Sequence, residues 1–173
     1  MPDNNTSFFV KDEASVSLND GSIGNYLGGG VRYNCEGGGT LEGMLAFKSN
    51  ESSVGGFAEI KATTPYQNNC AFESRTRFQV ESGGNSVVTR AALKCSKDFG
   101  KFNVYEIAGG SVKFNLKNQE NSFIPTSITG IQYNPSKKVG IYTEAGVSKA
   151  YNATNNCWGK FTPEVYVGAK FTF

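Results

Sequence analysis

The chain has 173 residues, enough for one domain spanning 1–173, and carries 21 glycines, 13 phenylalanines and 8 tyrosines against one tryptophan, a β-rich and turn-rich composition. Seventeen basic and fifteen acidic residues leave a net charge of +2, which gives no electrostatic footprint for nucleic acid. The absence of histidine removes His-based catalytic dyads, triads and metal sites, and the lack of any apolar run of about 18 residues excludes a transmembrane helix.

The chain opens M-P-D-N-N with no charged-then-apolar leader, so an exported form is expected to have lost its signal peptide already. The first predicted strand is Ser7 to Leu18, with Phe8, Val10, Ala14, Val16 and Leu18 on one face and Phe9, Lys11, Glu13, Ser15 and Ser17 on the other; Asp12 intrudes on the apolar face. Asp20-Gly21 reads as a two-residue hairpin turn, which pairs Val16 with Asn25, Ala14 with Leu27, Val10 with Val31 and Phe8 with Tyr33. Strand two is Ile23 to Cys35, strand three Thr40 to Ser49 and strand four Val54 to Thr64.

Strand five, Cys70 to Glu81, has Phe72, Thr76, Phe78 and Val80 on one face and Glu73, Arg75, Arg77, Gln79 and Glu81 on the other. A Ser82-Gly83 turn sets Phe72 against Leu93, Phe78 against Val87 and Cys70 against Cys95, with strand six running Asn85 to Cys95. Opposed residues lie about 4.5–5.5 Å apart in Cα, so a Cys70–Cys95 disulfide is expected. The same topology puts Cys35 and Cys157 at opposite ends, too far apart to bond, and the four cysteine spacings match no zinc motif.

Strand seven runs from Lys101 to Leu116, with Glu106 as a second acidic intruder and Gly109-Gly110 as a candidate bend or bulge. Strand eight is Phe123 to Tyr133, strand nine Val139 to Tyr151 and strand ten Cys157 to Phe173, where Pro163 suggests a bulge. Ten antiparallel strands in a meander follow, the product of an all-β, up-and-down barrel (8–12 strands fit the pattern).

Two barrels satisfy one apolar and one charged face. A soluble lipocalin-like or fatty-acid-binding-like barrel points the apolar face in, around an apolar ligand; a membrane barrel points it out to lipid. The Asp20-Gly21 turn leaves no room for the lid that a soluble barrel needs at its first hairpin. Rings also gather at both strand ends of the apolar face, with Phe8, Tyr33, Phe72, Phe102, Tyr133, Phe171 and Phe173 at one end and Phe47, Phe78, Phe114, Phe123, Tyr151 and Phe161 at the other. Two aromatic belts around an aliphatic band favour the membrane barrel. Lys11, Glu13, Arg32, Glu42, Lys160, Glu164 and a set of eight, Glu59, Lys61, Glu73, Arg75, Arg77, Arg90, Lys94 and Glu144, then face the lumen, the eight forming the expected charge network. At about ten strands the lumen is expected to be filled by side chains.

The last six residues, Gly168-Ala169-Lys170-Phe171-Thr172-Phe173, resemble the C-terminal signal of bacterial outer-membrane β-barrel proteins, carried here by Gly168, Phe171 and Phe173. The resemblance implies the bacterial outer membrane as location, the lipid bilayer and the outer-membrane assembly machinery as partners, and a monomer with a passive role as narrow pore, structural anchor or surface-binding protein. Enzymatic outer-membrane barrels (the omptin proteases, the lipid A-modifying acyltransferases and deacylases) rely on histidine, so the resemblance implies architecture without their chemistry. No cofactor is expected. The glycine runs at 28–30 and 37–39 lack the G-K-[ST] and the helix of a phosphate loop. Asn4, Asn50 and Asn152 open N-x-[ST] patterns of no expected consequence in a bacterial protein.

Overall fold

The computed structural model describes residues 5–51 and 53–173; Asn4 and Ser52, which belong to two of the N-x-[ST] patterns, lie outside them. Ten strands form one closed barrel in sequence order: β1 (Thr6–Ser17), β2 (Ile23–Asn34), β3 (Thr40–Asn50), β4 (Val54–Thr63), β5 (Cys70–Glu81), β6 (Gly84–Phe99), β7 (Phe102–Asn115), β8 (Asn121–Ser136), β9 (Val139–Asn152) and β10 (Cys157–Thr172). Every neighbouring pair is antiparallel, and β10 closes the barrel on β1 with Val10 opposite Phe171. The terminal Phe173 continues that closure, its N–H donating to the Phe8 carbonyl at 2.8 Å. Closure leaves no unpaired sheet edge, which is what an all-β chain needs in order to sit in lipid.

The apolar face points outward. Leu27, Leu45, Phe47, Ile60, Leu93, Ile131 and Phe161 are all exposed on it, while Phe9, Glu73, Gln79, Arg90 and Tyr105 are buried inside. The soluble-barrel alternative, which requires the reverse, is therefore not the fold. Rings are exposed toward both ends of the outer wall, Phe8, Tyr33, Phe72, Phe99, Phe102, Tyr133 and Phe171 toward the end that carries the termini, Phe47, Phe114, Phe123, Trp158 and Phe161 toward the other. Asp12 and Glu106 also lie exposed on the outer face.

The first hairpin differs from the sequence expectation by two residues. Val16 pairs with Ile23, Ala14 with Asn25, Val10 with Gly29 and Phe8 with Val31. The cause is the turn. Asp20 accepts from the Ser22 backbone N–H (3.1 Å) and hydroxyl (2.8 Å), and Gly21 donates to the Ser17 carbonyl, so the loop is four residues wide rather than two. Those same bonds, the backbone one foremost, hold the Asp20 carboxyl below the usual carboxylate range. A shift of two leaves every side chain on its own face, so the facing pattern survives.

Gly109-Gly110 is not a bulge; register runs unbroken through both neighbours of β7. These glycines give room instead. A Cβ at Gly110 would lie 2.8 Å from the Phe123 ring, and one at Gly109 would meet the Ala92 Cα at 2.6 Å. The irregularity of β10 falls between Trp158 and Phe161 rather than at Pro163, which pairs with Val147, and the exposed Lys160 sits within it. The Pro163 carbonyl accepts from Leu18 N–H, just past the last β1 pair, so its missing donor points past the end of the neighbouring strand and breaks no ladder bond. β6 runs on to Phe99 and β8 to Ser136, beyond their expected ends, because Gly100 (φ 64°) and the short Lys137-Lys138 turn let the hairpins continue.

Cys70 and Cys95 lie directly opposite each other, 4.0 Å apart in Cα, and are joined as a disulfide on the outer face; Cys35 and Cys157 are free, exposed and at opposite ends of the barrel.

Candidate functional site: the charged lumen

The lumen is built by opposition across the ladders. On β4 and β5, Glu59 faces Arg77, Lys61 faces Arg75 and Thr63 faces Glu73; on β5 and β6, Arg75 faces Arg90. Directly opposed like charges repel, so the side chains lean diagonally to find partners. Glu59 accepts from Arg77 (2.7 Å) and reaches Arg75 at 3.7 Å, while Lys61 turns to Glu73 at 2.7 Å. Of the eight network residues predicted from sequence, the structure brings these five together as ion pairs.

The other three are placed differently. Arg90 is only 6% exposed, and its Nε and Nη2 have no hydrogen-bond partner among the described residues. Lys94 lies over the Tyr105 ring, 4.1 Å from its centroid, and forms no ion pair among the described residues. Glu144 accepts from the Tyr105 hydroxyl at 2.6 Å rather than from a cation. The physical reason is supply. The carboxylates nearest these cations are engaged elsewhere, and a ring face is the remaining partner for a desolvated ammonium.

A second cluster, outside the eight, crosses the lumen. Glu42 on β3 accepts from Lys170 on β10 at 2.8 Å and pairs with Arg32 on β2. Glu13 pairs with Lys11 at 3.0 Å and accepts from the Tyr142 hydroxyl. Lys48 and Glu81 form a further pair at 3.0 Å.

Aromatic rings complete the filling, and sequence reasoning missed their role. Phe9 faces Gly30, Tyr105 faces Gly130 and Tyr142 faces Gly168 across adjacent strands. In each pair the ring lies flat over the glycine; a Cβ at Gly130 would sit 2.6 Å from Tyr105 Cε2, and one at Gly30 would sit 2.6 Å from Phe9 Cζ. Lying flat, each tyrosine clears the neighbouring strand and reaches a carboxylate on the strand beyond, Tyr105 to Glu144 and Tyr142 to Glu13. This is ring cover of an inward glycine, a device that pins register and curvature. Phe9, Tyr26, Met44 and Phe57 form one buried cluster within the barrel, Ala92, Tyr105, Ile107 and Ile128 another. Arg77 stacks 3.9 Å from the Phe57 centroid and Lys170 lies 3.8 Å from that of Phe9.

Toward the terminal end the filling opens into a cavity of about 320 Å³. Its wall includes Lys11, Arg32, Lys61, Arg75, Lys94 and Lys170, the Lys137-Lys138 turn at the rim, and the carboxylates Glu42, Glu59 and Glu144. Among the described residues, no group of three or more Cys, Asp or Glu side chains is arranged to hold a metal ion.

An apolar outer wall, a charged interior and complete closure define a transmembrane β-barrel. The comparisons with solved structures agree on the fold. The chain is similar to the KdgM porin, solved in complex with disordered oligogalacturonate, at 11% identity and a TM-score of 0.53 over 97% of this chain and 99% of that one. It is similar also to the beta domain of the Bordetella autotransporter Brka, at 9% identity and a TM-score of 0.58 over 98% and 100% of the two chains. At such identities the likeness is one of fold alone. No protein-family model and no curated protein sequence matches the chain.

Proposed function

We propose that this chain is a monomeric bacterial outer-membrane barrel whose lumen is closed at mid-height, so that it serves as a membrane-embedded anchor or surface-binding element rather than as an open channel. The carrying observation is the filling of the interior: Phe9, Tyr26, Met44 and Phe57 form a buried cluster inside the barrel, and the Lys170–Glu42 pair ties β10 to β3 across two intervening strands. In this reading Gly168, Phe171 and Phe173 act as the assembly signal. Phe171 and Phe173 support it by lying exposed on the outer face of the closing strand. The Cys70–Cys95 bond forms in the oxidising compartment through which such a barrel passes. Its role is passive; the lumen carboxylates serve as partners for cations and hydroxyls rather than as an acid–base pair.

Refolded protein inserted into a planar bilayer is expected to give no steady porin-sized conductance, while running faster on a gel before boiling than after. Large steady conductance from protein that shows the same gel shift would overturn the closed-lumen reading. A folded, monodisperse monomer in detergent-free buffer would overturn the membrane reading.

A further inference from the structure

The net charge of the whole chain is only +2, yet eight of the side chains around the terminal-end cavity are cationic and three are carboxylates. Two of those cations, Lys11 and Lys61, are paired with Glu13 and Glu73 just outside the lining, and a local surplus of cations still remains. Glu42 already serves both Lys170 and Arg32, Glu59 serves two arginines, and Glu144 is bonded to a neutral tyrosine. Lys94 is left with a ring face as its partner. Directly opposite the lining residue Arg75 stands Arg90, with two buried donors that find no partner among the described residues. Surplus charge within low-dielectric walls focuses the field toward the rim, where Lys137 and Lys138 stand.

We infer that this vestibule binds a small oxyanion, a carboxylate or phosphate compound of about monosaccharide size. Size and lining both support that class. The volume falls at the low end of small-molecule sites, and Tyr105, Tyr142 and Phe9 supply flat apolar surface beside the cations. An anion held there takes charge-assisted bonds from Lys94 and the rim lysines without displacing any existing ion pair. The site requires neither a closed lumen nor a particular membrane, so its test is independent of conductance.

The sequence has two methionines, and Met44 lies in the cavity wall. Its methyl group is thus a local reporter, assigned by a Met44→Leu variant. Protein carrying ¹³C-methyl methionine in detergent micelles is titrated separately with sodium phosphate, sodium glucuronate and glucose, with ionic strength held constant by sodium chloride. The Met44 signal is expected to move along a saturating curve with phosphate, glucuronate or both, and not with glucose; the two anion arms tell phosphate from carboxylate preference. Lys94→Gln is expected to weaken binding roughly tenfold, as is the Lys137→Gln, Lys138→Gln pair. The rim pair is exposed and leaves the folded wall untouched, so it decides the matter if the Lys94 variant does not fold. A response that is linear, that chloride reproduces, or that keeps its midpoint in the rim variant overturns the inference.

Discussion

Replacing Glu59 with glutamine is expected to destabilise the folded barrel by about 3–5 kcal/mol, the usual cost of removing one partner of a buried ion pair. The Glu59 side chain is 9% exposed and holds both Arg77 and Arg75. Arg75 in turn faces Arg90, which has unbonded donors of its own. Neutralising Glu59 thus leaves three guanidiniums clustered, and Glu73, the acid beside Arg75 and Arg90, is already bonded to Lys61. The double variant Glu59→Gln, Arg77→Gln is expected to recover part of the loss, because it removes the more buried of the two orphaned charges. Equilibrium unfolding in denaturant from lipid vesicles measures both. The single Trp158, exposed at the end of the barrel away from the mutations, reports the transition. A Glu59→Gln variant within about 0.5 kcal/mol of the parent would mean that the lumen is hydrated well enough to screen its charges.

Leu45→Arg is expected to cost about 2–4 kcal/mol in the same vesicles. Leu45 is 71% exposed, sits in the middle of β3, and is opposed by Gly29 and Ala58, both also central in their strands. On a water-facing wall the same change costs almost nothing, since an exposed leucine gains by being replaced with a charge. The size of the effect therefore reports the solvent on that wall rather than packing within it. Its depth dependence adds a control. Leu41→Arg, near the terminal end of the same strand, is expected to cost about 0–1 kcal/mol, because an arginine there reaches the interface.

Strand number and facing were readable from the sequence because side-chain alternation has a period of two, and the two hairpins whose registers it offered came out differently. The β5–β6 hairpin was readable to the residue, since its tight Ser82-Gly83 turn and the opposition of Cys70 to Cys95 agree. The β1–β2 register was not. A shift of two keeps every face, so only the turn distinguishes the two registers, and there the Asp20 side chain captures Ser22 and widens the loop. That error hid the opposition of Phe9 to Gly30 and with it the rule of rings over inward glycines, which the Tyr105–Gly130 and Tyr142–Gly168 pairs repeat. Which charges face inward was legible from the alternation, but ion partners were not legible even on adjacent strands such as those of Glu59 and Arg77. Still less were they legible between strands that are not neighbours, as for Lys170 and Glu42, because that distance exists only once the barrel has closed.

The barrel divides its two walls, the apolar one toward lipid and the charged one toward the lumen, and this division is open to a direct test. A nitroxide scan along β3 tests it most directly, with single cysteines at positions 41 to 48 in a Cys35→Ser, Cys157→Ser background reconstituted in lipid vesicles. Collision with dissolved oxygen, which partitions into the bilayer, is expected to peak at 41, 43, 45 and 47 and to fall at 42, 44, 46 and 48, where Glu42, Met44, Ala46 and Lys48 point inward. Peaks at the even positions, or no alternation at all, would contradict the account.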